Sequence, residues 1–351
     1  MKNITFFINT LGLSGGTQRV LTTLVNLLVS HYSVTIIVMK LEEPFFKIND
    51  KVKIEVVLFN SILNIMSFNF QIFKILKKNL SDYYVSLDSN TVFLQSIFLP
   101  KKTHLILWEH FSLSENYNKL FFRLSRYYAS KRAYKFVLLS RNEVNSWKSI
   151  YKIPDKKLRH IYNPITIENV EEVSSENLYM NKKVIAIGNN IYVKGFDLLL
   201  ESWSLLDRNG WSLEVVGLPE NELKKLEILK DNYSFRNKVV LTGRVSNIKD
   251  KYLDSSIYCL CSRKEATPLV LIESQYVGLP AISFDNCEGP LELLNNSGLV
   301  VEFGDVNKYS NTISKLISSK GVYLELSKRA KDNSQRFNNK TFYEKWCKVL
   351  N

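Results

Sequence analysis

Residues 257–284 read IYCLCSRKEATPLVLIESQYVGLPAISF. The first five, with Ser256 before them, are rich in strand formers, and the stretch from Pro268 has helical length and stops at Gly278, a residue suited to a helix C-cap. Pro268 fits the first helical position with Thr267 as N-cap, and PAISF returns to a strand. A strand, loop, helix and strand in this order belong to a parallel α/β sheet. Glu265 then lies in the loop after a strand, and Glu273 lies on the following helix. Ligands of open parallel sheets bind at the carboxyl ends of strands, beside helix N-termini. The N–H groups around Leu269 and Val270 would form an anion site suited to a phosphate. Two carboxylates there can accept hydrogen bonds from hydroxyls, one near a reacting group and one near a ribose. Spacing alone equally permits a surface loop acid and a solvated helix acid.

The same alternation runs outward along the 351 residues. ITFFI, SVTIIVM, KIEVVLF, YYVSL, HLILWEH and KFVLLS read as strands, with an amphipathic helix from GGTQRVLTTLVNLLVS after the first. The pattern pauses at RHIYNPITIENVEEVSSENLYMN, read as a linker around the Asn163-Pro164 turn signal. It restarts with KVIAIG, a helix FDLLLESWSLLDRN, then SLEVVG, KVVLTG, SIYCLC and PAISF, and closes on a helical NKTFYEKWCKVLN. Two βα arrays predict two Rossmann-like domains facing a cleft. The expected division is residues 1–165, completed by a helix over 336–351, and residues 166–335.

Composition narrows the function. The net charge is +13, and residues 1–165 carry 23 Lys+Arg against 10 Asp+Glu, while the remainder balances at 24 against 24. A basic half calls for an anionic partner: a membrane surface, a nucleic acid or a phosphorylated substrate. No nucleic-acid motif accompanies it, so nucleic-acid binding ranks last. GLSGGTQR stands where a dinucleotide-binding G-x-G-x-x-G would follow the first strand, which disfavours hydride transfer. The four cysteines lack metal-site spacing and read as buried free thiols, and no Asp-x-Asp pair offers a divalent metal site. No apolar run reaches the length of about 18 residues needed to span a bilayer. No signal peptide is read at the start, so a cytoplasmic protein is expected.

SRKEATPLVLIESQYVGLPAISFD resembles the signature of GT-B glycosyltransferases of family 4: a Glu, seven residues, a second Glu, then small-Gly-x-Pro. LSGGTQRV resembles the family's first glycine loop, IGNNIYVKGFDLLLESW its donor-diphosphate segment, and LTGRVSNIKDKYLDSS the stretch before the signature. The resemblance implies a retaining hexosyltransferase that takes a hexose or N-acetylhexosamine from a nucleoside diphosphate sugar. It needs no other cofactor and no metal, and by common family usage the donor is UDP-linked. It implies that the last helix crosses back to the N-terminal domain, which binds the acceptor. It places Glu265 against the donor sugar, Glu273 on the ribose and Lys194 on the diphosphate, with Gly15 and Gly16 approaching the phosphate. His110, after the strand of LILWEH, resembles the family's donor-sugar histidine, although a histidine at a strand end is often structural. Two departures stand out: Asn189 replaces a family arginine, for which Arg244 or Arg263 would have to substitute, and Ala266-Thr267 replaces Gly-Phe. They leave open a catalytically impaired sugar-nucleotide-binding subunit of a transferase complex.

Residues 118–135, NKLFFRLSRYYASKRAYK, and 68–79, FNFQIFKILKKN, interleave basic and aromatic residues. Such segments suit an anionic membrane interface, or an ordinary packed helix with a basic outer face. The first reading predicts a peripheral enzyme on the inner face of the cell membrane. Its acceptor would be a saccharide linked to undecaprenyl diphosphate, in the synthesis of a bacterial surface polysaccharide such as O-antigen or capsule.

Overall fold

The computed structural model describes residues 1–59, 64–113, 119–168, 170–207 and 210–351. Asn118, Asn169 and Arg208–Asn209, at which the basic segment, the linker and a helix were read, lie outside the described residues. The chain forms two compact units, one of residues 1–166 with 339–351 and one of residues 167–338.

In the first unit the described strands are β1 (Asn3–Ile8), β2 (Ser33–Val38), β3 (Lys53–Val56), β4 (Tyr83–Ser86), β5 (His104–Glu109), β6 (Lys135–Leu138) and β7 (Leu158–His160). They run parallel in the order β3-β2-β1-β4-β5-β6-β7. Five consecutive buried residues in β1 and in β5 show both faces of the sheet covered, as parallel sheets require. Helix Gly16–Leu28 buries Val20, Leu21, Leu24 and Leu28 at helical spacing. Helices Ile65–Lys78, Leu120–Arg132 and Arg141–Tyr151 share one core, in which Phe68, Ile72, Ala129 and Trp147 meet Tyr84, Leu105 and Phe136.

Helix Asn339–Leu350 completes this unit, as the resemblance implied. Its Trp346 is buried edge-on against Trp108 at 4.7 Å and near Phe6 at 6.4 Å. Lys2 and Lys135 donate to the carbonyls of Leu350 and Val349 at 2.6 and 2.7 Å. These two cations cap carbonyls that the helix end leaves without an intrahelical partner.

In the second unit β8 (Lys183–Ile187), β9 (Ser212–Leu218), β10 (Lys238–Gly243), β11 (Ile257–Leu260), β12 (Ala281–Phe284) and β13 (Leu299–Val301) order as β10-β9-β8-β11-β12-β13, again parallel. The two sheets give the Rossmann-like α/β architecture expected. The stretch read as a linker is more structured than its polar composition suggests. It contains β7 and a helix, Ser175–Met180, whose Ser174 cap accepts from the Asn177 N–H at 3.1 Å. Strands as short as β7 and β13 are too brief to show a period in the sequence.

Candidate active site

In each unit the strand order reverses once, between β1 and β4 and between β8 and β11. At such a reversal adjacent connections leave in opposite directions and open a crevice at the carboxyl ends of the strands. Lys194 follows β8 and Glu265 follows β11, so both stand at the reversal of the second unit.

The structure brings these two together. Lys194 Nζ donates to Glu265 Oε1 at 2.6 Å, and Ser262 Oγ donates to the same oxygen at 2.8 Å. Both charged side chains are largely shielded from water. Backbone geometry enforces the meeting. Asn190 caps the short helix Ile191–Lys194 by accepting from the Val193 N–H at 2.8 Å, and the Arg263 N–H donates to the Val193 carbonyl at 2.8 Å. Gly195 has φ +64°, and a Cβ there would stand 1.9 Å from the Cys261 carbonyl oxygen. Only glycine permits that approach. Gly289 closes the other side: its Cβ would fall 1.4 Å from the Ala266 carbonyl oxygen, and Asn286 donates to the carbonyls of Ser262 and Arg263. Ser262, Asn286 and Gly289 had no role assigned from sequence, because each acts on a neighbour that folding supplies.

The helix after Glu265 spans Leu269–Val277, and Gly278 ends it in the left-handed conformation at φ +99°. Its N-cap is Pro268 rather than Thr267, with no side-chain cap. Proline at that place has no side-chain acceptor, so the N–H groups of Leu269 and Val270 remain directed beyond the helix end. Glu273 is not the solvated helix acid that spacing alone also permitted. It is 0% exposed, and its Oε2 accepts from the Tyr252 hydroxyl at 2.9 Å. A ribose hydroxyl would reach that oxygen by displacing Tyr252.

The two candidate substitutes for the missing arginine separate clearly. Arg263 is engaged: it forms a two-pronged pair with Asp197, both contacts at 2.7 Å, donates to the Tyr192 carbonyl and stacks on the Tyr192 ring. Arg244 is exposed in the loop just beyond β10, and Asn189 is exposed just beyond β8. Arg244 is therefore the cation still available at this edge.

In the first unit Gly15 is the N-cap of helix Gly16–Leu28, following β1 without a side-chain cap. Its φ of −77° is open to any residue, so no unusual backbone requires glycine at position 15. His110 follows β5, its ring 4.6 Å from that of Trp108. Its Nε2 is buried with no hydrogen-bond partner among the described residues. Burial pushes the imidazole down to about 3, so it is neutral at physiological pH. Burial, reinforced by the charge of Asp88, pushes the neighbouring Glu109 up to about 8. Among the described residues no group of three His, Cys, Asp or Glu side chains is placed to hold a metal. No described helix is long and apolar enough to cross a membrane.

Helix Leu120–Arg132 is turned opposite to an ordinary amphipathic helix. Ser125, Ala129 and Ser130 face inward, while Leu120 and Leu124 are 68% and 58% exposed, with Phe121 and Tyr127 beside them. Lys119, Arg123, Lys131 and Arg132 are exposed among these apolar groups. Arg126 differs from its basic neighbours: it is 0% exposed and belongs to the interior. Helix Ile65–Lys78 likewise exposes Met66 and Phe70, with Lys74 over the Phe70 ring.

The family model described as Glycosyl transferases group 1 matches residues 170–337, and that described as Glycosyltransferase Family 4 matches residues 14–169. The amylovoran biosynthesis glycosyltransferase AmsD of Erwinia amylovora is 27% identical over 100% of both chains. A Campylobacter jejuni α-1,4-N-acetyl-D-galactosaminyltransferase, named for a diphospho-undecaprenol-linked acceptor, is 28% identical over 100% of this chain and 98% of its own. Among solved structures, the Anabaena HepE protein in complex with UDP-glucose superposes with a TM-score of 0.81 at 16% identity, covering 100% of this chain and 99% of that one.

Proposed function

This chain belongs to the glycosyltransferases of family 4, with the GT-B fold, and we propose that it moves a hexose or N-acetylhexosamine from a UDP-sugar to a lipid-linked saccharide, retaining the anomeric configuration. The observation that carries this reading is the Lys194–Glu265–Ser262 cluster at the strand reversal, beside the uncapped N-terminus of helix Leu269–Val277. Breaking the bond from C1 to a diphosphate releases an already acidic leaving group. The site must hold the negative charge that grows on the β-phosphate. Lys194, Arg244 and the N–H groups of Leu269 and Val270 supply fixed positive charge for that, without a divalent metal.

Glu265 serves better as a holder of sugar hydroxyls than as a nucleophile. Its Oε1 already accepts two hydrogen bonds, one from a cation, which withdraws electron density from the oxygen. The acceptor hydroxyl then attacks C1 from the face that the diphosphate leaves, forming the new C1–O bond as the C1–phosphate oxygen bond breaks and passing its proton to the departing β-phosphate oxygen. His110, neutral and with its buried Nε2 lacking a partner among the described residues, suits a hydrogen bond to a hydroxyl of the donor sugar.

The acceptor reading rests on the first unit. Exposed aromatic and basic side chains on helices Ile65–Lys78 and Leu120–Arg132 fit an anionic bilayer surface, where apolar groups insert and cations meet headgroups. A peripheral enzyme at the inner membrane face, acting on a saccharide linked to undecaprenyl diphosphate in surface polysaccharide synthesis, unites that surface with the amylovoran biosynthesis named for one relative and the diphospho-undecaprenol-linked acceptor named for the other.

The test is calorimetric titration with UDP and GDP, without added metal, on the wild type and Lys194→Ala. UDP binding that is lost in the variant is the expected result; binding of neither nucleotide overturns the donor assignment. The engaged Arg263 and the asparagine at 189 favour a second reading, a sugar-nucleotide-binding subunit with impaired catalysis. UDP binding without transfer to any lipid-linked saccharide would select it.

A further inference from the structure

His110 has no hydrogen bond of its own at Nε2 among the described residues, so its direction depends on the backbone that carries it. That backbone is held at each step. Glu109 accepts from the Phe111 N–H at 3.1 Å with Oε1, and its Oε2 accepts from the Ser89 N–H at 3.3 Å. Glu143, in the first turn of helix Arg141–Tyr151, accepts from the Ser112 hydroxyl at 2.9 Å and from the Leu113 N–H at 3.3 Å. Arg126, from the interior face of helix Leu120–Arg132, donates to the Leu113 carbonyl at 2.7 Å. Leu113 is thus gripped from both sides, by its N–H on one helix and its carbonyl on another.

Burying a guanidinium to hold the carbonyls of Leu113 and, at 3.4 Å, Ser112 is a poor exchange for stability alone. An apolar side chain would fill the space on that helix without desolvating a charge. Asp88 and Glu109 offset part of the cost, since the positive charge of Arg126 opposes the effect of burial on both carboxyls. What the arrangement secures is the course of the chain just after β5, where His110 stands.

We infer that Arg126 and Glu143 are positioning residues that fix His110 by clamping residues 112–113 between two helices. This rests on the reading of His110 as a contact to the donor sugar, and it assigns Arg126 to the catalytic loop rather than to the lipid-facing charge of its helix. If the clamp is opened, the loop loosens, water reaches the imidazole, and His110 titrates like a solvated histidine.

The experiment is an NMR pH titration of the full chain labelled with ¹⁵N-histidine. It follows the ring nitrogens of the four histidines, with His110 assigned from its absence in His110→Gln. In the wild type His110 is expected to stay neutral down to about pH 4, from the depressed value to which burial drives it. In Arg126→Met and Glu143→Met, which remove the donor and the acceptor of the clamp, its midpoint is expected to rise towards about 6.5, and Arg126→Lys, which keeps a cationic donor, should recover part of the wild-type behaviour. The signals of the other three histidines serve as the internal reference. An unchanged His110 midpoint in folded Glu143→Met and Arg126→Met overturns the inference, and Glu143→Met decides the matter if Arg126→Met does not fold. UDP binding measured on the same samples separates the two failures. Its absence in the wild type overturns the donor reading, whereas an unmoved His110 overturns the clamp alone.

Discussion

The two units place loops at the carboxyl edge of a reversed parallel sheet and dispose of charge there in opposite ways. In the second unit the charges are paired at short range near the crevice: Lys194 with Glu265, and Arg263 with Asp197. In the first unit Asp88, Glu109 and Arg126 are sunk beneath the edge, and the remaining basic residues of helix Leu120–Arg132 stand outside among exposed Leu, Phe and Tyr. Under the proposed function, the difference follows from what each unit would hold. A diphosphate is small and has fixed geometry, so groups that are already oriented bind it without reorganisation. A bilayer surface has no fixed geometry, so a broad face of mobile cations and apolar anchors suffices.

Breaking the preorganised side should cost most. Glu265→Ala should lower transfer by about 10²–10³-fold, measured as UDP release in the presence of acceptor, while the unfolding midpoint changes little. Full activity would show that the paired charges are only structural. On the other side, replacing Arg123, Lys131 and Arg132 by Gln should weaken binding to phosphatidylglycerol vesicles by about two orders of magnitude at low salt. Each charge near an anionic surface contributes roughly 1 kcal/mol, and the effect should shrink as salt is added. Unaltered vesicle binding would remove the contrast between the units. A smaller effect is expected from the backbone of the donor site. Gly195→Ala must carry a Cβ at φ +64° against the Cys261 carbonyl, and urea unfolding should register a loss of about 1–3 kcal/mol. A stability equal to the wild type would mean that the 190–194 loop is not held as described.

The smallest expected effect is in acid. His110 is held neutral by burial, down to about 3, while an unfolded chain protonates near 6.5. As pH falls below 6.5, the unfolded state takes up a proton that the folded state refuses, so stability declines between about 6.5 and 3. His110→Gln should remove a contribution on the order of 1 kcal/mol at pH 6, read from unfolding curves at pH 8 and pH 6. Equal slopes in the two proteins would place the imidazole in water.

Much of this was legible in the sequence. The six strands read in the first half and the five read in the second are all present; most are buried on both faces and announce themselves as short apolar runs between turns, while the edge strands β3 and β10 are only partly covered. The pairing of Lys194 with Glu265 was not legible as a contact, since 71 positions separate them. The basic segment was legible as basic and aromatic, but Arg126 could not be told from Arg123 by composition. The small residues Ser125, Ala129 and Ser130 marked the inner face of that helix, and Arg126 falls within it.

What the sequence determined alone is the order of strands and helices, the asymmetry of charge and the chemical groups available to a site. These follow from periodicity and composition, which are local properties of the chain. What only the tertiary structure decided is which of those groups meet. The reversal of strand order sets Lys194 beside Glu265. Packing closed Glu273 under Tyr252 and drew Arg126 inward to the loop after His110. The reason is that a charged side chain takes its state from the groups around it, and those groups arrive from distant strands only when the sheets have formed.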